Sequence, residues 1–149
     1  MPSSSIKKQI SCSKKNLINM VLDIENYPEF VPWCLGSKVY EKKDKGDTVE
    51  IIADLTIGKS FFKETYKSFV TYNKSTDTIY VTNIEGPLKY LENKWFFKDL
   101  GDSSEVEFQV DFELKNKILN LLMNKSFDLG LIKIADAFQK RADELFNKT

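Results

Sequence analysis

Apolar and polar residues alternate with a period of two through the middle of the chain, from Gly36 onward. The clearest example runs from Val106 to Leu114, where apolar side chains alternate with acidic and amide side chains. Successive side chains on a strand point to opposite sides, so this alternation predicts β-strands with one buried face. Strands are predicted at 5–11, 49–57, 62–72, 79–84, 91–97 and 106–114, with hairpin turns at 43–47, 73–77, 85–87 and 100–102.

Helical spacing replaces the alternation at both ends of the chain. Ser13 is a suitable N-cap for a first helix that ends at about Ile24. Near the other end, apolar residues three or four positions apart predict one long amphipathic helix, with a shorter apolar piece at 118–123 ahead of it. Gly130 marks either a close approach or a kink. The predicted apolar face of the long helix consists of Phe127, Leu131, Ile134, Phe138, Ala142 and Leu145.

The order of these elements predicts an α+β fold in which a curved antiparallel sheet wraps around the C-terminal helix. A short strand, a helix, about six hairpin-linked strands and a final helix must bury their apolar faces against one another. A twisted sheet of this size curls, and we expect the curl to leave an internal apolar cavity against the helix. No linker or repeat interrupts the pattern, so residues 1–149 are expected to form a single domain.

Composition disfavours an enzyme. The 149 residues include no histidine, which excludes Ser-His-Asp and Cys-His catalysis, and two cysteines cannot complete a four-thiolate zinc site. The 22 basic residues balance the 22 acidic ones, which argues against a broad nucleic-acid surface and against DNA as a partner. No apolar run approaches the roughly 18 residues of a membrane span, so any contact with the inner membrane is expected to be peripheral. Without a signal peptide, we expect a cytoplasmic protein in which both cysteines are free thiols.

Residues 27–34 read YPEFVPWC, which places two prolines and three aromatic residues within eight positions. Loops rich in rigid aromatic residues commonly form a ligand lid or a partner contact. The alternative is that Tyr27, Phe30 and Trp33 plug one end of the core. Cys34 is expected to be a small buried hydrophobe, because nothing near it in the sequence, apart from a helix terminus, would lower the pKa of its thiol.

Glu64 and Asn93 are polar residues in phase with side chains that are predicted to face inward. A buried polar group is costly unless it is hydrogen-bonded. Either each of them bonds a neighbouring strand, which is the more common arrangement, or they offer polar atoms to the head of an apolar ligand. A third alternative makes Glu64 a general acid, although the sequence supplies it with no partner nucleophile.

Five stretches of the sequence together resemble a known family. They are YPEFVPWC at 27–34, ADLTIGKSFFKETYKSFV at 53–70, EGPLKYLENKWFF at 85–97, VEFQVDFEL at 106–114 and AFQKRADELF at 137–146. In this order they are similar to the RatA family of START-type, polyketide-cyclase-like proteins, which includes mitochondrial coenzyme Q-binding proteins. Two positions depart from the family pattern and are expected to reshape one end of the pocket. Leu88 replaces a frequent aromatic residue, and Lys94 replaces a frequent histidine.

The resemblance implies a helix-grip fold with a hydrophobic tunnel that binds ubiquinone or a similar isoprenoid lipid. The implied function is a non-enzymatic lipid carrier or chaperone that supports respiratory electron transport and requires no cofactor. The alternative that the resemblance implies is a toxin that binds the large ribosomal subunit and blocks subunit association. The expected ligand-binding residues are Tyr27, Pro28, Phe30, Pro32, Trp33, Cys34, Phe62, Glu64, Tyr66, Leu91, Asn93, Trp95 and Phe108.

Overall fold

A computed structural model describes residues 3–59 and 62–147 of the chain, with only the backbone at 3, 59, 62 and 119–127. In these residues, one antiparallel sheet of seven strands has the order β1-β7-β6-β5-β4-β3-β2. The strands are β1 (Ser3–Ile10), β2 (Cys34–Asp44), β3 (Thr48–Lys59), β4 (Phe62–Asn73), β5 (Thr78–Glu85), β6 (Leu88–Asp99) and β7 (Ser104–Leu114). The helices are α1 (Lys14–Leu22), a 3₁₀ helix (Ile24–Glu29) and α2 (Lys117–Phe146).

Six of the seven strands form where the hydrophobic pattern predicts them, whereas β2 is implied only by the predicted hairpin turn at 43–47. In β7, every second residue from Ser104 to Leu114 is buried and the residues between them are half-exposed. Strands β2 to β7 are joined in chain order by hairpins, so each pairs with the next. Strand β1, at the start of the chain, pairs with β7. The sheet is therefore open, with β1 and β2 at its edges, and the predicted α+β order of elements is confirmed.

Helix α1 begins where its cap predicts. The Oγ atom of Ser13 accepts a hydrogen bond from the backbone N–H of Asn16 at 3.2 Å. The helix ends at Leu22, two residues before the predicted end, and the chain continues as the short 3₁₀ helix that contains Pro28. Proline has no N–H to donate, which limits this segment to a brief helical turn before the chain enters β2.

Helix α2 differs from its prediction in two respects. The piece at 118–123 is not separate, because no proline or glycine breaks the helix before Gly130, and one helix runs from Lys117 to Phe146. Leu131, Phe138 and Ala142 are buried as predicted, but Leu145 is 51% exposed because the last turn extends past the core. The side chain of Phe127 lies outside the described residues.

Helix α2 lies off-centre on the sheet. In the described residues its contacts concentrate on β1 and β7. Polar contacts tie it to the same edge. Lys8 Nζ lies 3.0 Å from the Asp136 carboxylate, and the backbone N–H of Ser11 donates to Gln139 at 3.0 Å. A gap therefore remains between the helix and the middle strands. Within the described residues, no helix has the length and hydropathy that crossing a membrane requires.

Candidate functional site

An apolar cavity lies between the inner face of the sheet and helix α2, as predicted for this fold. Its volume is about 280 Å³. The 3₁₀ helix and the segment that follows it close one side, and strands β3, β4, β6 and β7 form most of the wall. The mouth is at Leu129 and Lys133 of α2, which line the cavity and are exposed to solvent. An enclosed apolar space that opens at one end is suited to a ligand with a long apolar part.

Most of the residues expected at the site lie along the wall of this cavity. Pro28, Phe30 and Glu64 are not among its described lining residues, and the side chain of Phe62 lies outside the described part of the chain. The expected residues that do line the cavity are Tyr27, Pro32, Trp33, Cys34, Tyr66, Leu91, Asn93, Trp95 and Phe108.

Phe30 packs behind the cavity wall. Its ring meets the ring of Phe138 edge to face, with 5.1 Å between centroids, and also contacts Tyr27. The guanidinium of Arg141 lies 5.1 Å from the Phe30 ring centroid and 3.7 Å from the carboxylate of Glu29. Phe30 therefore plugs the core, as the alternative interpretation of this segment proposed, while Pro28 is exposed beside it.

Glu64 is half-buried near the beginning of β4, where it pairs with Ile57 of β3. Ile57 reaches the cavity, but Glu64 does not belong to its described lining. The geometry therefore gives no support to a general acid at this position. Lys94 also lies away from the cavity. It is on the opposite side of β6 from Asn93, and its Nζ atom lies 3.2 Å from Glu92, so this departure from the family pattern does not reshape the pocket.

The closed end of the cavity is a cluster of aromatic rings. Trp95 lies 4.1 Å from Phe108 and 5.6 Å from Phe138 between ring centroids. Tyr27 meets Phe138 edge to face at 6.1 Å, and its hydroxyl donates to the backbone carbonyl of Val21. Aromatic pairs in this geometry stabilise a core beyond the area they bury. This end of the cavity is therefore a rigid floor.

Trp33 forms one side of the open end. Its φ of 64° is in the left-handed region, which a bulky residue rarely adopts, and its carbonyl accepts from the backbone N–H of Gly58 at 2.9 Å. Its ring lies against Gly130, where an added Cβ would be 3.4 Å away, so the predicted close approach is confirmed. The Nζ atom of Lys133 is 5.9 Å from the ring centroid.

Asn93 presents a polar atom without a partner. Its Oδ1 atom is buried and has no hydrogen-bond partner among the described residues, and the side chain lines the cavity. Val81 and Val110 are its neighbours on the adjacent strands, and their side chains carry no donor. Bonding of this oxygen to a neighbouring strand, the first alternative for Asn93, is therefore not found, and its position favours contact with a ligand.

Three titratable groups of the wall, Tyr27, Tyr66 and Cys34, are held in their neutral forms. Burial raises the pKa of both Tyr27 and Tyr66 well above the ordinary phenol range. Burial also raises the pKa of the Cys34 thiol, while a hydrogen bond from the Gly36 backbone opposes the shift. The thiol itself donates to the carbonyl of Gly36, with 3.6 Å between Sγ and oxygen. At neutral pH these side chains therefore offer the cavity hydroxyl and thiol groups rather than charges.

Tyr66 owes its position to a close backbone approach. Gly86 has a φ of 132°, and a Cβ added there would lie 2.9 Å from both Cα and Cβ of Tyr66. No side chain fits such a space, so the turn after β5 can lie against β4 only with glycine at this position. This contact fixes the segment of β4 that presents Tyr66 to the cavity.

Several lining residues are absent from the predicted site. The β3 residues Leu55 and Ile57 and the β7 residue Val110 carry an inward-facing signal in the alternation, but that signal does not separate core from cavity wall. The residues contributed by α2 follow its helical spacing only in part. Leu88, which was expected to shape one end of the pocket, lines the cavity. Further lining residues that were not predicted at the site are Val31, Gly58, Phe112, Leu114, Leu129, Gly130, Leu131, Lys133, Ile134 and Phe138.

Comparison with known proteins identifies the same group from sequence and from structure. A family model described as polyketide cyclase / dehydrase and lipid transport matches residues 16–139. The ribosome association toxin RatA of Rickettsia prowazekii is 31% identical over 134 residues, which cover 88% of this chain and 89% of that protein. The mitochondrial coenzyme Q-binding protein of Dictyostelium discoideum is 28% identical over 145 residues, which cover 95% of this chain and 69% of that protein.

A solved structure has the same arrangement of sheet and helix. The solution structure of an 18 kDa protein from Caulobacter crescentus aligns with a TM-score of 0.82 and 29% identity, covering 99% of this chain and all of that one. The helix-grip fold and the resemblance inferred from the sequence motifs are therefore confirmed. The names of the two relatives describe association or binding rather than a reaction.

Proposed function

Because the chain belongs to the START-type family of polyketide cyclases, dehydrases and lipid transport proteins, we propose that its cavity binds ubiquinone or a similar isoprenoid lipid. In this function the protein carries or shields the lipid and does not transform it. The observation that carries the proposal is the apolar cavity with an unpartnered Asn93 oxygen in its wall and a mouth at Leu129. Such a site matches an isoprenoid lipid, which has a small polar head and an apolar tail.

The free energy of transfer supports a lipid ligand. Each buried CH₂-sized group contributes about 0.8 kcal/mol, so a five-carbon isoprene unit contributes roughly 4 kcal/mol before ordering costs are subtracted. A volume of about 280 Å³ is near the lower end for ligand pockets. We expect the head and the first part of the tail to lie inside the cavity, while a longer tail leaves through the mouth.

The lining does not favour catalysis. Among the described lining residues, the titratable groups are Tyr27, Cys34, Tyr66 and Lys133. The raised pKa values of the two phenols and of the thiol keep all three protonated at neutral pH, so none acts as a general base or an anionic nucleophile. Binding without turnover is the function that this chemistry supports.

A cavity-filling variant tests the proposal. In Leu55→Trp the larger side chain enters the cavity from β3 and competes with the ligand for space. Tyr80→Trp is the matched control, because it adds an indole on the exposed outer face of the sheet. Binding of a short-chain ubiquinone analogue, measured by isothermal titration calorimetry, is expected to weaken at least about tenfold in Leu55→Trp and to be unchanged in Tyr80→Trp.

Two results would contradict the proposal. The first is that the wild-type protein binds no short-chain ubiquinone analogue and yields no isoprenoid lipid on extraction from respiring cells. The second is that Leu55→Trp, folded by circular dichroism, binds the analogue as tightly as the wild-type protein does. In the second case the ligand would have to lie elsewhere on the surface.

The mouth suggests how a lipid would enter. Leu129 is 58% exposed and Lys133 lies beside it at the opening. An exposed apolar side chain next to a cation suits brief contact with the headgroups of an anionic membrane. We therefore include peripheral contact with the inner membrane in the proposal. Sedimentation with anionic vesicles is expected to carry down the wild-type protein and less of Leu129→Glu.

A second candidate function is association with the large ribosomal subunit. The name of the Rickettsia prowazekii relative favours it. On the outer face of the sheet, the exposed Tyr40 ring also has Lys38 Nζ at 4.9 Å and Lys67 Nζ at 4.8 Å from its centroid. An aromatic ring between two cations can stack on an unpaired base beside phosphate groups.

Gradient sedimentation separates this candidate from the lipid carrier. Co-migration with large subunits that decreases with salt, and that Tyr40→Ala weakens, would support ribosome association. Lys98→Glu is the control, because it changes charge at an exposed position elsewhere. If the wild-type protein remains at the top of the gradient at low salt, the second candidate is excluded.

A further inference from the structure

We infer that the cavity selects ligands that donate a hydrogen bond, and that it therefore binds the reduced hydroquinone form of a quinone more tightly than the oxidised form. This inference rests on the proposed function, because it assumes that the apolar cavity is the ligand site. It adds the redox form of the ligand, which follows from the donors and acceptors that the wall provides.

In two polar groups of the wall, the hydrogen is already donated to a backbone carbonyl. The hydroxyl of Tyr27 donates to the backbone carbonyl of Val21, and the thiol of Cys34 donates to the backbone carbonyl of Gly36. A hydroxyl has one hydrogen to donate, and so does a thiol, while each keeps lone pairs that accept. Towards a ligand in the cavity, both groups therefore act as acceptors.

Asn93 adds a stronger acceptor. Its buried Oδ1 atom has no partner among the described residues, and the valines that flank it in the sheet have no side-chain donor. A buried acceptor that stays unpaired carries a desolvation cost, which a ligand removes when it donates to that atom. A hydroxyl-bearing ligand therefore binds more tightly than one whose polar atoms only accept.

The two forms of a quinone differ in this property. The oxygens of a quinone are carbonyl acceptors, whereas each oxygen of a hydroquinone carries a hydrogen. A hydroquinone hydroxyl can donate to Asn93 Oδ1, but a quinone carbonyl at the same place leaves that oxygen unpaired. Tyr66 does not discriminate, because its hydroxyl can donate to a carbonyl or accept from a hydroxyl. Lys133 is at the mouth, where it is exposed to solvent and its Nζ atom lies 5.9 Å from the Trp33 ring centroid.

The test compares the two redox forms of one probe. Dissociation constants for a short-chain ubiquinone analogue and for its hydroquinone are measured by calorimetry under anaerobic conditions. We expect the hydroquinone to bind about tenfold more tightly, the factor associated with one such hydrogen bond. In Asn93→Leu, which removes the acceptor and keeps the size of the side chain, the difference is expected to disappear. Asn73→Leu at the end of β4, away from the cavity, is the control and is expected to keep the preference.

A second measurement does not depend on a variant. A tenfold preference for the hydroquinone raises the two-electron midpoint potential of the bound probe by about 30 mV relative to the free probe. Equal affinities with no shift in potential would overturn the inference and leave the proposed function intact. Tighter binding of the quinone would also overturn it, because it would mean that Asn93 presents its amide hydrogens. Failure of both forms to bind would overturn the proposed function itself.

Discussion

Both ends of the cavity include residues of the segment 27–34, and yet the two ends differ in kind. At the closed end, Tyr27 and Phe30 pack edge to face on Phe138 of α2. At the open end, Trp33 lies against Gly130, eight positions earlier on the same helix. Where Tyr27 and Phe30 lie opposite Phe138, the rings fill the space and close the cavity. Where Trp33 lies opposite Gly130, the helix contributes no side chain and the cavity is open. The residue supplied by the helix therefore decides which end is closed.

The largest effect is expected at the closed end. In Phe138→Ala, a buried ring that contacts Tyr27, Phe30 and Trp95 is removed and leaves a cavity. The free energy of unfolding is expected to fall by about 3–5 kcal/mol, as for other buried aromatic residues. Urea denaturation measures this change. A loss below about 1 kcal/mol would show that the closed end is not a packed core.

The same kind of truncation is expected to cost less beside the cavity. Leu55 is half-buried and already adjoins empty space, so Leu55→Ala removes fewer contacts than a fully buried leucine would lose. We expect a decrease of about 1–2 kcal/mol in the free energy of unfolding, below the usual range for a buried leucine. If urea denaturation gave a loss equal to that of Phe138→Ala, the contrast between the packed closed end and the cavity wall would be wrong.

Backbone strain at the mouth is expected to produce a smaller effect. Trp33 has a φ of 64°, where glycine is free of the penalty that an L side chain carries. Trp33→Gly and Trp33→Ala both remove the indole, so the difference between them isolates the backbone. The glycine variant is expected to be more stable by roughly 1 kcal/mol. Equal melting curves for the two variants would contradict a strained conformation at this position.

The smallest effect on stability is expected at Asp77, which lies between β4 and β5 and is not among the described lining residues of the cavity. Its carboxylate accepts from Tyr72 at 2.8 Å and pairs with Lys14 of α1 at 2.7 Å. Asparagine tolerates the left-handed φ of 51° at this position, so Asp77→Asn removes mainly the charge. We expect a loss of about 0.5–1 kcal/mol at pH 7, the range for exposed ion pairs.

The pH dependence of the stability difference between wild type and Asp77→Asn tests whether the charged carboxylate stabilises the fold. The hydrogen bond from Lys14, followed by that from Tyr72, holds the pKa of Asp77 below its ordinary value, with burial opposing them. A carboxyl with a lowered folded-state pKa stabilises the protein above its unfolded pKa of about 3.9, and the contribution is lost as the pH falls through the lowered value. The difference between wild type and variant in urea denaturation is therefore expected to be full at pH 7 and absent in strong acid. If the difference in stability persisted in strong acid, it would come from lost packing rather than from the charge of Asp77.

The sequence was sufficient to predict both α-helices, six of the seven strands and a large part of the cavity wall. Alternation identified the strands because one face of each strand is buried, and the motif around Tyr27 and Trp33 marked the segment that closes the cavity. The close approach at Gly130 was one of two predicted alternatives, but the contribution of Lys133 to the cavity wall was not predicted. Helical periodicity indicates which side of α2 faces the sheet, but it does not indicate where across the sheet the helix lies.

The same reason explains the difference between Phe30 and Trp33. Both are aromatic residues of one short motif, and their roles depend on which position of α2 lies opposite each of them. Asn93 shows the converse case. Its inward phase on β6 was visible in the sequence, but whether a neighbour bonded its oxygen depended on the register that placed Val81 and Val110 beside it.

Helix α2 packs mainly on β1 and β7. The side chains of Leu55, Ile57 and Tyr66 therefore face the cavity from strands that make few contacts with the helix. Substitutions there change the shape offered to a guest molecule without dislodging the helix. In a fold of this kind, substitutions on one strand at a time can change which ligands the cavity accepts. Relatives that share this architecture can therefore diverge in what they hold long before they diverge in how they fold.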